Sequence, residues 1–105
     1  MSQMKDNRIE LDNIFREILG NNHTYFQPPE SVKLQYPCII YTRNIRDVKA
    51  DDITYLRRCR YEVTLVAKDP DSELPFKLSD LPMSSMDRYF VADNLHHWVF
   101  TIYYK

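Results

Sequence analysis

A single glycine, Gly20, stands in a chain of 105 residues. Loop-built phosphate sites need several glycines so that backbone N–H groups can approach the anion, so a P-loop or a dinucleotide-binding turn is excluded. Apolar runs are only a few residues long, far below the roughly 18 needed to cross a bilayer, and no membrane association is expected. A surplus of positive charge is also missing. The 14 basic and 15 acidic side chains leave a formal charge of -1, which argues against the basic footprint of a sequence-independent nucleic-acid binder.

Chemical motifs are equally scarce. No nucleophile elbow and no H-E-x-x-H occurs. His96 and His97 are adjacent, so on a strand they face opposite ways, and His23 is remote. Asp69, Asp71 and Glu73 alternate like the first ligands of a calcium loop, but the required glycine and downstream glutamate are missing; carboxylates at a helix start explain them better. No metal, cofactor or catalytic residue is expected. Cys38 and Cys59 are flanked by apolar residues at strand positions and read as buried free thiols. A disulfide between adjacent strands is the alternative, and with no recognisable secretory signal a reducing compartment is expected.

The residues that are present specify order. Eight Tyr and five Phe favour strands and aromatic packing, and 105 residues suffice for one domain, 1–105, burying roughly 60 to 70% of its unfolded surface. The chain is centred on residues 58–68, where Cys59, Tyr61, Val63, Leu65 and Ala67 fall on one side of a strand and Arg58, Arg60, Glu62, Thr64 and Lys68 mostly on the other. Residues 4–19 carry Leu11, Ile14, Phe15, Ile18 and Leu19 at helical spacing, and Gly20 is the stop signal. Residues 24–31, broken by Pro28 and Pro29, read as an edge or crossing segment. A short helix over about 73–81 follows the central strand, with Ser72 as its N-cap and Pro75 in the first turn. Residues 84–91 and 95–104 form a hairpin about Ala92-Asp93-Asn94. The expected fold is α+β: an antiparallel sheet of about four strands (38–43, 58–68, 84–91 and 95–104) with both helices on one face. In the last strand Trp98, Phe100, Ile102 and Tyr104 share one side and His97, Val99, Thr101 and Tyr103 the other, so a second cover, supplied by another subunit, is expected.

Residues 44–57 break the alternation with mixed charge and scattered apolar residues. They are expected to form a long hairpin loop that meets a neighbour, with Ile53 and Leu56 as anchors and Arg46, Asp47, Asp51, Asp52 and Arg57 as a polar rim. Arg57, Arg58 and Arg60 beside Tyr55 and Tyr61 hint at single-stranded nucleic-acid stacking, but nearby acidic residues favour an ordinary charged strand end.

The element order, together with Gln27-Pro-Pro-Glu-Ser-Val-Lys, Tyr36-Pro-Cys-Ile-Ile-Tyr, Arg60-Tyr-Glu-Val-Thr-Leu, Asp69-Pro-Asp-Ser-Glu, Leu81-Pro-Met and Asp93-Asn-Leu-His-His, resembles the tail terminator (tail completion) family, neck proteins of long-tailed bacteriophages. The likeness spans nearly the whole chain but consists of packing and turn signatures. It implies a non-enzymatic virion protein, assembled in the bacterial cytoplasm, that forms a homohexameric ring on the head-proximal end of the tail tube. Such a ring ends tail polymerisation, contacts the major tail tube protein and presents a surface to the head completion or connector protein. Genomic DNA passes through the lumen without specific binding. The alternatives are a head-completion or stopper protein and, from another class, a small host-directed binding module.

Overall fold

A computed structural model of the chain describes the backbone over residues 3–50 and 54–104, and side chains over 5–44 and 59–104. The first element, α1 (Gln3–Leu19), buries Leu11 and Phe15 of its apolar stripe. It ends at Gly20, whose φ of +73° suits a residue without a Cβ and whose N–H donates to the Arg16 carbonyl at 2.9 Å.

Five strands follow: β1 (Thr24–Phe26), β2 (Cys38–Ala50), β3 (Thr54–Ala67), β4 (Ser84–Ala92) and β5 (Leu95–Tyr104), with α2 (Leu74–Ser79) between β3 and β4. The sheet order is β1-β2-β3-β5-β4. The expected sheet of about four antiparallel strands is therefore corrected to a mixed sheet of five. Residues 24–26 pair parallel to β2, from Thr24↔Ile39 to Phe26↔Tyr41, while every other pairing is antiparallel. Pro28 and Pro29 lie just past the end of β1, where their rings have no ladder N–H to give.

The expected loop over 44–57 is a second correction. Cross-strand pairing of β2 with β3 runs on from Cys38↔Val66 to Ala50↔Thr54. β1 leaves β2 at Tyr41 and β5 leaves β3 at Cys59. Among the described residues, 46–50 and 54–58 thus pair only with each other, forming a two-stranded ribbon that extends about 16 Å at 3.3 Å per residue. Alternation reports a half-buried face, whereas main-chain pairing needs only the absence of breakers, and no Gly or Pro interrupts residues 44–58. The ribbon makes the molecule elongated, 48 × 27 × 24 Å, with a radius of gyration of 14.7 Å against about 13 Å for a compact domain of this length.

Both helices pack on one face of the sheet. Leu11 and Phe15 from α1 and Leu78 from α2 join Ile39, Tyr41, Tyr61, Val63, Leu65, Phe100 and Ile102 in a single core. On the opposite face Cys38, Val66 and Val99 are already buried within the protomer, so hiding them does not call for the subunit cover expected from sequence. The connection from β1 to β2 passes on that side: the Gln35 N–H donates to Tyr25 OH, and Tyr25 stands opposite Ile40. The free cysteines are both buried, Cys38 on this face and Cys59 on the helix face, which rules out a bridge between them. Burial alone pushes the Cys38 thiol up to about 11.

Smaller corrections concern α2 and the hairpin. The helix begins after Glu73, which takes the N-cap place without a side-chain bond, while Ser72 Oγ accepts from the Leu74 N–H at 3.2 Å. It ends at Ser79 with Asp80 as C-cap: the Asp80 N–H still makes a helical bond to the Phe76 carbonyl at 3.0 Å, whereas the Leu81 N–H bonds the Leu78 carbonyl at 3.2 Å in a tighter turn that leaves Leu81 outside. The β4–β5 turn is the two residues Asp93 and Asn94, with φ of 53° and 62°, as a primed hairpin turn demands.

Candidate interaction surfaces

Three places carry polar or apolar groups that the core does not absorb. The first is the junction of α1 with β1 and β2. Asp12 accepts from Thr24 Oγ1 at 3.0 Å and from Arg16 Nε at 2.7 Å through one oxygen, and from Tyr41 OH through the other. Burial first, then the Asp12 carboxylate, hold the Tyr41 phenol well above its ordinary range. Two guanidinium groups lie over the Phe26 ring, Arg8 at 4.5 Å and Arg43 at 5.3 Å from its centre. Tyr61 OH and Arg43 Nη1, from directly opposed residues, are buried without hydrogen-bond geometry to any partner. Burial raises the Tyr61 phenol while the nearby guanidinium pulls it partway back. These groups tie the helix to the sheet.

The second place is the ribbon. Of the residues expected to meet a neighbour, Asp47 and Arg57 are brought directly opposite each other, and Arg46 is opposite Arg58 and Leu56 opposite Val48. Asp51, Asp52 and Ile53 lie outside the described residues. The strands of the ribbon and its base, residues 43–50 and 54–60, carry six basic side chains against one acidic, Asp47.

The third place is the open side of β4, which was not foreseen. β4 pairs with β5 on one edge and with nothing described on the other. Seven of its nine residues are exposed, among them Met86 (52%), Tyr89 (46%), Phe90 (39%) and Val91 (54%). The register slips between Met86 and Arg88, so Asp87 is the extra residue of a β-bulge; it accepts from Thr101 Oγ1 at 2.6 Å. Tyr89, His96 and Trp98 form one aromatic group on the helix side, with Tyr89 OH and His96 Nδ1 hydrogen-bonded at 2.6 Å, while Phe90 stacks on His97 on the other side. Between β4 and α2 runs a groove of about 500 Å3 floored by Met86 and Trp98. Pro75 and Phe76 line its α2 side, and its only charged residues are Asp71 and Glu73. Phe76 is 71% exposed, too much for a side chain serving the fold. The available signal was that Met86, Tyr89, Phe90 and Val91 alternate with nothing, so part of that apolar set had to fall outside the core face.

Among the described residues no group of three His, Cys, Asp or Glu is placed to hold a metal ion. No helix of the described residues is long and apolar enough to cross a membrane. Protein-family models, curated proteins and solved structures offer no match to this chain.

Proposed function

We propose that this chain is a non-enzymatic structural protein of a long-tailed phage virion, which closes into a ring on the head-proximal end of the tail tube and ends its growth. The ring, a homohexamer in this reading, offers one side to the tube protein and the other to the head connector, and lets DNA pass without gripping it. One observation carries the reading beyond sequence likeness: the sheet has a projecting ribbon at one side and an unpaired, apolar strand edge at the other. Two different contact surfaces on opposite sides of one protomer suit head-to-tail association, which closes into a ring when the rotation permits.

The test is to add the purified protein to growing and to finished tail tubes and to measure tube length and end structure by electron microscopy. Tubes that stop at a uniform length and carry a ring at one end are expected. Tubes whose length and ends are unchanged would defeat the proposal. The basic ribbon favours one other reading, a host-directed nucleic-acid-binding module, whose signature is binding to DNA or RNA that weakens steeply with salt.

A further inference from the structure

We infer that the β2–β3 ribbon of one copy docks along the free β4 edge and the α2 groove of the next copy, so that the sheet continues from subunit to subunit. The inference deepens the ring reading and rests on it only for the number of copies that close.

The two surfaces complement each other in three ways. Both are unpaired strand edges of one sheet: β4 offers nine residues, and β2 past Arg43 offers residues 44–50 on the side that β1 has left. Their directions agree as well. β2 is antiparallel to β3, β3 to β5 and β5 to β4, so β2 and β4 run in opposite directions and a head-to-tail neighbour meets the β4 edge in antiparallel register. Finally, the charges are opposite. Residues 43–60 carry six basic and three acidic side chains, whereas residues 69–80 around α2 carry four acidic and one basic. Asp71 and Glu73, the charged residues of the groove, are both exposed. Past the bulge at Asp87, the exposed Tyr89, Phe90 and Val91 leave the outer half of this edge apolar, and a dedicated partner strand would cover it. Nucleic acid would satisfy the ribbon's charge but would leave the β4 edge and the acidic groove uncovered. A second copy satisfies both at once.

The experiment compares the full chain with two charge-reversed variants by sedimentation velocity and native mass spectrometry over a range of concentration and salt. One variant carries Arg46→Glu and Lys49→Glu on the ribbon, the other Asp71→Lys and Glu73→Lys at the groove. The wild type is expected to form closed oligomers at low salt, and each variant alone to remain monomeric with a thermal transition like the wild type's. Mixed one to one, the two variants should recover oligomers in which they alternate, because each altered surface then meets its new complement. Amide exchange of β4 should slow in the recovered species. A wild type that stays monomeric throughout, variants that oligomerise unaided, or a mixture that fails to recover would each overturn the inference. So would a ribbon variant that loses salt-sensitive DNA binding while its oligomers persist. Oligomers that recover on mixing but never cap tubes would sink the ring reading and leave this contact standing. Tubes capped by variants that still self-associate would do the reverse.

Discussion

β3 and β4 lie in the same sheet, separated by one strand, and are treated in opposite ways. From Tyr61 to Ala67, β3 keeps Tyr61, Val63, Leu65, Val66 and Ala67 buried, using both faces near its end, while β4 leaves seven of nine residues exposed although it is as rich in large apolar side chains. The central strands exhaust what α1 and the six-residue α2 cover. Met86, Tyr89 and Val91 on the helix side of β4, with Phe76 on the α2 side of the groove, are surplus to the protomer, and an apolar surplus at a sheet edge marks a place where something else binds.

The sharpest way to break this contrast is to put the same charge in each strand. Leu65→Asp strands a carboxylate in a fully buried position and is expected to cost more than about 4 kcal/mol, a large part of the 5 to 15 kcal/mol that holds such a domain together. The cooperative thermal transition seen by circular dichroism should disappear. Met86→Asp, at 52% exposure, should shift the same transition by only a few degrees. Comparable losses in the two variants would mean that β4 belongs to the core after all.

A smaller effect is expected where α1 is tied to the sheet. Asp12→Ala removes the acceptor of Tyr41 OH, Thr24 Oγ1 and Arg16 Nε at once, at a cost of about 2 to 3 kcal/mol in urea unfolding. The same hydroxyl makes the fold sensitive to alkali. Its folded-state pKa is raised above the unfolded value of about 10, so the native state holds the proton more tightly; the contribution is intact below pH 10 and is lost as pH climbs above it. Stability measured from pH 8 to 11 should therefore fall, and Tyr41→Phe should flatten that fall. An unchanged slope in the phenylalanine variant would remove Tyr41 from the explanation.

How much of this was legible beforehand depends on whether a signal was local. The stripe of α1, the stop at Gly20, the core side of β3 and β5 and the Asp93-Asn94 turn are written in spacing and residue type, and they lie where expected. β1 has three residues, too few to show alternation, and its parallel pairing is fixed by tertiary bonds such as the Ile39 N–H to the His23 carbonyl. The ribbon escaped for a different reason: hydrophobic pattern reports burial, and the pairing of 46–50 with 54–58 is a main-chain property. Asp12 looked like one more polar residue on the outer side of α1, and only the fold sets Tyr41 and Thr24 against it. The β4 groove was hidden because it depends on α2 ending at Ser79 and on the bulge at Asp87.

Gly20→Ala sharpens the contrast from the side of the backbone. A Cβ at this position meets nothing within 4 Å, so the cost is conformational: a φ of +73° charges an L residue about 1 kcal/mol. A shift of several degrees in the melting temperature is expected, and a much larger loss would point to a tertiary role for the helix end.

The smallest expected effect on stability belongs to Phe76→Ser. At 71% exposure the ring shields little of the protomer, and its position inside a six-residue helix asks nothing of an aromatic side chain, so the unfolding free energy should stay within about 0.5 kcal/mol of wild type. Its removal strips the apolar side of the groove that faces Met86 and Trp98, and self-association should weaken while the melting curve of the isolated chain barely moves. Urea titration and sedimentation on one preparation separate the two quantities. A variant that loses stability in step with association would make Phe76 part of the fold, and the division between a saturated centre and a rim held in reserve would fail at the residue where it is most exposed.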